Sequence, residues 1–110
     1  MLADLAIIPV GGDSHLSGVL ADVLKAVEAS GLDYQFTPTA TCIEGTWDQV
    51  TELAKHCHAI ARKSSPHVVT MLRIEDDGSE ESKLKHNIES VEARAGQAFR
   101  DSPRAPIISR

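Results

Sequence analysis

Two segments of this chain carry apolar residues on both alternating faces, whereas a strand with one buried face alternates apolar and polar residues. They are Ala3–Val10 (ADLAIIPV) and His67–Glu75 (HVVTMLRIE). A continuous apolar run bounded by turn residues is typical of a strand that is buried on both faces. A sheet built around these two strands therefore needs cover on both sides, and this requirement limits the folds open to the chain.

The residues between the two runs predict one helix and two short strands. Apolar residues recur at three- and four-residue steps over Ser14–Ser30, with Ser14 as a plausible N-cap and Gly31 just beyond the C-terminal end. Asp33–Thr37 and Thr41–Glu44 then form two strands around a tight break. The pattern up to this point is strand, helix, strand, strand.

A second helix is predicted from Thr46 to about Lys63, because Thr46 and Gln49 have the spacing of a capping box. Its apolar stripe, which we expect to be buried, comprises Trp47, Val50, Leu53, Ala54, Cys57, Ile60 and Ala61. A third helix over Glu80–Ala95 follows the last strand. No regular pattern remains after this helix.

The order β-α-β-β-α-β with an extra C-terminal helix predicts an α+β, ferredoxin-like sandwich with both main helices on one face of the sheet. The 110 residues form one domain, assigned to residues 1–96, with 97–110 as a loose C-terminal tail. The second face of the sheet must be covered by the third helix or by another copy of the protein. We therefore predict a homo-oligomer, a dimer or a tetramer, whose sheets pack face to face.

Charge and composition exclude several classes of partner. The net charge of −5 argues against nucleic acid and anionic membranes, and an aromatic content of 4% argues against base stacking. No run of apolar residues is long enough to span a bilayer, and the N-terminal segment lacks the pattern of a signal peptide. Cys42 and Cys57 lie among apolar neighbours, which suits core packing in a reducing compartment. We expect a cytoplasmic protein.

Neither a metal site nor a catalytic set is predicted. His56 and His58 flank Cys57 on a helix, where successive residues diverge by about 100°, so the two histidines cannot easily share one ion. A core cysteine between two surface histidines explains this segment better. Neither thiol is placed beside positive charge or at a helix N-terminus, as a nucleophile would require. We therefore expect no catalytic residue, no metal and no cofactor.

The segment from Thr37 to Trp47 is the strongest candidate for a ligand site. Hydroxyls at Thr37, Thr39 and Thr41 fall on one face of an extended chain. Glu44, just before a helix, can accept hydrogen bonds from an amine and attract a cation, and Trp47 could cover an aromatic ring. Alternating threonines are also normal in an exposed strand, so the pattern alone leaves both interpretations open.

Five segments carry a resemblance to a known family, through their order and spacing. They are Ile7–Gly11, Ser14–Ser17, Thr41–Gly45, Asp76-Asp77 and Ser90–Glu92. In these features the sequence resembles the small thiamine-binding proteins over residues 3–96. The resemblance implies a ferredoxin-like fold, assembly through sheet packing into dimers and often tetramers, and binding of thiamine or its hydroxymethylpyrimidine part. No catalytic activity belongs to that family as such.

By the same resemblance, Glu44 and the neighbouring threonines line the ligand site, and Ser17 contributes from the first helix. The function expected is non-catalytic binding of thiamine or hydroxymethylpyrimidine by a carrier, a buffer or a sensor. Two alternatives remain open: a small-molecule enzyme of the dimeric ferredoxin-like type, and an assembly protein without a small ligand.

Overall fold

The structure is a computed structural model that describes residues 1–11, 16–78 and 84, with the side chains of Leu16 and Ser17 excepted. Several predictions fall outside these residues. They concern Ser14 as a helix cap, the side chain of Ser17, the third helix apart from Leu84, and the tail at 97–110. Leu84 itself is helical and buried.

The described elements follow the predicted order. They are β1 (Leu2–Pro9), α1 (Leu16–Ala29), β2 (Asp33–Phe36), β3 (Thr41–Glu44), α2 (Trp47–Ser64) and β4 (Val68–Glu75). The strands form one antiparallel sheet in the order β2-β3-β1-β4. The protein has a ferredoxin-like α+β fold, as the alternation of helical and strand periodicities predicts.

The core lies between the two helices and one face of the sheet. Alternate residues of β1, namely Ala3, Leu5 and Ile7, are buried there because successive side chains of a strand point to opposite faces. The largest fully buried side chains are those of Ile43, Val27, Val50 and Cys57. The predicted core position of Cys57 is therefore confirmed.

The N-terminus of α2 is fixed by the predicted capping box. The Gln49 backbone N–H donates to Thr46 Oγ1 at 3.3 Å, and the Thr46 backbone N–H donates to Gln49 Oε1 at 2.9 Å. The prediction that Trp47 belongs to the buried stripe is wrong, because this side chain is 56% exposed. The packed part of α2 begins one turn later, at Val50.

The open face of the sheet, which the two helices do not cover, has two unlike halves. On the β2–β3 half, Gln35 and Leu84 are buried. On the β1–β4 half, three apolar side chains are exposed; we call Ile8, Val69 and Met71 the apolar patch. The prediction that β1 and β4 are apolar on both faces is confirmed, whereas cover by a second copy stays a prediction.

Candidate functional site

A cavity of about 260 Å³ lies between α1 and the helix-covered face of the sheet, at the end where β2 turns into β3. Most of its wall is apolar, and the β2–β3 turn closes one side. The lining includes Leu5, Ile7, Leu20, Val23, Leu24, Phe36 and the five residues from Thr37 to Thr41. An apolar cavity with a few polar groups is typical of a small-molecule site.

The turn between β2 and β3 is held by Thr37. Its backbone N–H donates to the Ala40 carbonyl oxygen at 3.0 Å. Its hydroxyl donates to the same oxygen at 2.6 Å and accepts from the Ala40 backbone N–H at 3.1 Å. Pro38, with its fixed φ, further restricts the turn. The Thr37 hydroxyl is therefore used in shaping the turn.

Thr39 and Thr41 supply the other two hydroxyls of the cavity lining. Thr41 is buried on the helix-covered face opposite Leu5, whereas Thr39 is exposed at the turn. Neither hydroxyl makes a hydrogen bond within the described part of the chain. Each can donate one hydrogen bond and accept others, so a ligand could use them in either sense.

Phe36 is a lining residue that sequence reasoning missed. It lies at the end of β2 opposite Thr41, and its side chain remains 44% exposed although it borders the cavity. Strand alternation from Tyr34 places Phe36 on the helix-covered face, which is the sequence feature that could have identified it. The aromatic side chain at this cavity is thus Phe36, and Trp47 is not part of the lining.

Glu44 does not join the threonines, although both belong to the predicted site. It lies three residues after Thr41 on β3, so its side chain points to the open face and lies about 10 Å further along the strand. There Glu44 Oε2 accepts a hydrogen bond from the Leu84 backbone N–H at 3.2 Å. The period of the strand therefore separates Glu44 from Thr41, and a role for Glu44 or Trp47 in ligand binding stays a prediction.

Trp47 lies at the far end of β3 from the turn. Trp47 comes two residues after Gly45. The Gly45 backbone N–H donates to the Met1 carbonyl oxygen at 3.1 Å, so Trp47 lies at the end of the sheet at which β1 begins. The cavity lies at the other end, where β1 finishes. The side chain of Ser17, the remaining predicted site residue, lies outside the described residues.

Comparison with known sequences decides the family. A sequence profile described as thiamine-binding protein matches residues 3–92. The chain belongs to the thiamine-binding protein family. A UPF0045 protein of Staphylococcus xylosus is 32% identical over 97 residues, which cover 83% of this chain and 91% of that protein. A UPF0045 protein of Methanothermobacter thermautotrophicus is 30% identical over 95 residues, covering 84% and 96% respectively.

Solved structures confirm the fold of this thiamine-binding family member. A hypothetical protein of Methanocaldococcus jannascii superposes with a TM-score of 0.74 at 20% identity, covering 82% of this chain and 93% of that one. A Thermotoga maritima protein, provisionally described as acting in thiamine biosynthesis or salvage, superposes with a TM-score of 0.72 at 16% identity. This match covers 82% of this chain and 96% of the Thermotoga chain.

A polar cluster lies on the open face of this thiamine-binding family member. Arg73 Nη2 and Nε donate to Asp4 Oδ2 at 2.6 and 3.0 Å, and Cys42 Sγ donates to Asp4 Oδ1 at 3.1 Å. Burial, reinforced by Asp4, raises the pKa of Cys42 to about 11, so its thiol stays protonated near neutral pH. Cys42 is only half-buried beside a carboxylate, which corrects its predicted place in the apolar core.

Three side chains of α2 that could in principle bind a metal, those of His56, Cys57 and His58, lie in different surroundings. Cys57 is buried, His56 is exposed, and His58 Nδ1 lies 2.6 Å from Thr70 Oγ1. Across residues 1–11, 16–78 and 84, no three His, Cys, Asp or Glu side chains converge as a metal site would require. Over these same residues, neither helix combines the length and apolar character that crossing a bilayer requires.

Proposed function

We propose that this protein binds thiamine, or its hydroxymethylpyrimidine moiety, in the cavity beneath the β2–β3 turn. Membership of the thiamine-binding family supports the ligand class. The fold shared with the Thermotoga protein provisionally placed in thiamine biosynthesis or salvage is consistent with it. The observation that carries the proposal is the pair of hydroxyls, on Thr39 and Thr41, at one side of an otherwise apolar cavity.

The cavity suits the pyrimidine part of thiamine. An aminopyrimidine is a flat ring with hydrogen-bond donors and acceptors in one plane, which the two hydroxyls can serve. Phe36 and the α1 side chains Leu20 and Leu24 provide apolar contact for its faces. A cavity of about 260 Å³ is at the small end for ligand sites, which favours one ring over the whole vitamin.

The thiazolium ring of thiamine is placed towards solvent in this proposal. The described lining of the cavity contains no charged side chain, and burying a cation without a partner is costly. Outside the cavity, the net charge of −5 favours a positive group near the protein surface. The uncharged pyrimidine is therefore expected inside the apolar cavity, and the cationic thiazolium outside it.

Binding occurs without chemical conversion in this proposal. General acid–base catalysis needs an ionisable group within hydrogen-bond reach of the substrate, and the described cavity lining contains none. The protein then acts as a carrier, a buffer or a sensor. Thiamine incubated with the protein should be recovered unchanged by chromatography, and accumulation of any product would instead favour the enzyme alternative.

Isothermal calorimetry with thiamine and with hydroxymethylpyrimidine tests the site. Thr41→Val keeps the shape of the side chain and removes the hydroxyl, so affinity should fall about five- to tenfold, the value of one neutral hydrogen bond. Thr70→Val is the matched control, because Thr70 lies on the same face of the sheet two strands away and is not in the lining. Unchanged affinity in Thr41→Val would exclude this cavity hydroxyl from binding.

The working unit in this proposal is a homo-oligomer in which a second copy covers the apolar patch. Ile8 and Val69 lie opposite each other on β1 and β4, and Met71 is adjacent on the same face. The Asp4–Arg73 ion pair borders them, so a two-fold arrangement can bring opposite charges together around an apolar centre. Light scattering after size exclusion tests this: Ile8→Asp should lower the mass, and the exposed helix variant Ala59→Asp should not.

A further inference from the structure

The strand β1 extends further than the strand that pairs with one of its two sides. On the β4 side, every residue from Leu2 to Pro9 has a partner. On the β3 side, pairing ends at Leu5, which lies opposite Thr41. Within the described residues, the last part of β1, from Ala6 to Pro9, therefore has a free edge on the β3 side. The same four residues line the cavity.

Two sets of hydrogen bonds show which backbone groups point to this free edge. The terminal ammonium of Met1 donates to the Gly45 carbonyl oxygen at 3.0 Å, and the Gly45 N–H donates to the Met1 carbonyl oxygen at 3.1 Å. Hydrogen-bonded pairs alternate along an antiparallel ladder, so the odd-numbered residues of β1 direct their N–H and C=O towards β3. The bond from the Val10 N–H to the His67 carbonyl oxygen, at 2.8 Å, directs the even-numbered residues towards β4.

The N–H and the C=O of Ile7 therefore point past the end of β3, on the side where the cavity lies. Within the part of the chain that the structure describes, neither group makes a backbone hydrogen bond in that direction. A longer β3 would place Thr39 opposite Ile7, but the bond between Thr37 and Ala40 closes the turn first. Ile7 is only 8% exposed. Because buried backbone groups need hydrogen-bond partners, a ligand in the cavity can supply what β3 does not.

We propose that the free edge of β1 binds a heteroaromatic ring that carries an amino group beside a ring nitrogen. The Ile7 N–H donates to the ring nitrogen, and the Ile7 C=O accepts from the amino group. In a hydrogen-bonded pair of strands, one residue exchanges the same two bonds with its partner. The aminopyrimidine of thiamine has this arrangement of donor and acceptor. The inference rests on the proposed function, because the ring occupies the same cavity, and it names the groups that select the ligand.

Backbone groups at this edge select a ligand more strictly than the threonine hydroxyls do. The hydroxyls of Thr39 and Thr41 rotate, and each can donate or accept. The N–H and C=O of Ile7 have fixed directions, because the β1–β4 ladder holds the strand on its other side. A ligand that lacks either complementary group leaves a buried backbone group unpaired, which is strongly disfavoured. The edge of β1 is therefore the specificity determinant, and the hydroxyls supply additional bonds.

The short free edge fits a ring better than a peptide strand. A peptide that extends a sheet uses main-chain hydrogen bonds along several residues. Here only Ile7 offers both a donor and an acceptor, since Pro9, the next residue of the same orientation, has no N–H. A ring bonded to Ile7 lies roughly in the plane of the sheet, where a paired strand would lie. The α1 side chains Leu20 and Leu24 then lie over its helix-facing side.

Deleting one ring nitrogen of the ligand tests the bond from the Ile7 N–H. Isothermal calorimetry compares hydroxymethylpyrimidine with its 3-deaza analogue, in which C–H replaces the nitrogen beside the amino group. The parent protein should bind the 3-deaza analogue at least about tenfold more weakly, because the Ile7 N–H loses its acceptor. Equal affinity for the two compounds would overturn this inference and leave the cavity as the binding site.

Ile7→Pro makes the test specific to this residue. Proline removes the N–H without breaking a bond to β4, as Pro9 already does two residues later. Ile7→Pro should bind the two compounds with similar affinity, because neither can accept a bond there. Ile7→Val is the matched control, since it also shortens the side chain but keeps the N–H, and it should retain the parent's preference. A tenfold preference in folded Ile7→Pro would contradict the assigned bond.

Amide hydrogen exchange provides a measurement that needs no variant. In the free protein, the Ile7 amide should exchange faster than the Leu5 amide, which is bonded within the β1–β3 ladder. Saturating hydroxymethylpyrimidine should slow exchange at Ile7 at least about tenfold, and the 3-deaza analogue should slow it less. Equal slowing by both compounds would mean that the ligand shields the cavity without bonding to Ile7, which would overturn the inference.

A smaller ligand separates this inference from the proposed function. The fragment 4-amino-2-methylpyrimidine carries the amino group and the adjacent ring nitrogen without the hydroxymethyl group. If thiamine and hydroxymethylpyrimidine do not bind but this fragment slows exchange at Ile7, the edge site is supported and the vitamin is rejected. Binding of hydroxymethylpyrimidine and its 3-deaza analogue with equal affinity supports the proposed function and rejects the edge site. Binding of none of these compounds rejects both.

Discussion

The backbone N–H of Leu84 donates a 3.2 Å hydrogen bond to Glu44 Oε2 on the open face of the sheet, away from the two helices. The two residues are 40 positions apart, so the contact ties the chain after β4 to the strand β3. Leu84 is only 5% exposed at this point. Glu44 therefore has a structural partner on the face opposite the cavity.

Glu44→Gln should lower stability and leave ligand affinity unchanged. Glutamine keeps an acceptor for the Leu84 N–H but exchanges a charged hydrogen bond for a neutral one, which costs about 1 kcal/mol of unfolding free energy. Urea unfolding measures this cost, and calorimetry measures thiamine affinity. If Glu44 contacts the ligand, as the family resemblance implies, affinity should instead fall about tenfold or more. That result would move the site to the open face.

Phe36→Ala should weaken thiamine binding by about tenfold or more, because it removes aromatic contact area from the cavity wall. Trp47→Ala is the matched control, because Trp47 is another exposed aromatic residue and lies near the opposite end of the sheet. Calorimetry on both variants decides between the two ends of β3. A loss confined to Trp47→Ala would contradict the cavity as the binding site.

The elements of this fold could be predicted because each depends on local pattern. β3 has the predicted bounds of Thr41–Glu44, and the Thr46–Gln49 capping box marks the start of α2. These features need only residues within one turn or one strand. The period of a strand also predicts that Thr41 and Glu44, which are three residues apart, lie on opposite faces of the sheet. Their closeness in sequence alone suggests a shared site.

The remaining features depend on contacts between distant parts of the chain. Trp47 fits the apolar stripe of α2, yet the helix pattern does not say where packing against the sheet begins. The cavity exists because α1 and the β2–β3 turn leave space around Phe36, which no periodicity encodes. Likewise, the hydrogen bond from Leu84 to Glu44 joins residues 40 positions apart, which no local pattern encodes. Such features follow from tertiary packing and not from propensity.

The Asp4 carboxylate should make stability depend on pH in the acid range. Burial would raise the pKa of Asp4, but hydrogen bonds from Arg73 and Cys42 outweigh it and lower the pKa below its ordinary value of 3.8. A lowered folded-state pKa means that the ionised carboxylate stabilises the fold above about pH 4 and that this contribution is lost as the pH falls through the lowered pKa.

Urea unfolding of the parent and of Asp4→Asn, each at pH 7 and at pH 3, measures this contribution. The difference between the two proteins should be about 1 kcal/mol or less at pH 7, because the Arg73 side chain is 70% exposed and surface ion pairs are weak. It should shrink at pH 3. A difference that grows on acidification would contradict the sign of the shift.

Asp4→Asn should also make the Cys42 thiol more reactive. Burial is the main cause that raises the pKa of Cys42 to about 11, and the hydrogen bond to the Asp4 carboxylate raises it further. Removing the negative charge takes away the second cause and leaves Arg73 nearby to favour the thiolate. The thiolate fraction at pH 8 should therefore rise.

Cys57 is an internal control for that measurement. Its pKa is also raised to about 11, but by burial alone, and it lies in the core away from Asp4. Iodoacetamide labelling of the folded protein at pH 8, resolved by mass spectrometry of peptides, should be faster at Cys42 in Asp4→Asn than in the parent and unchanged at Cys57. Parallel acceleration at both cysteines would mean that the substitution opens the fold, because only a local electrostatic change is specific to Cys42.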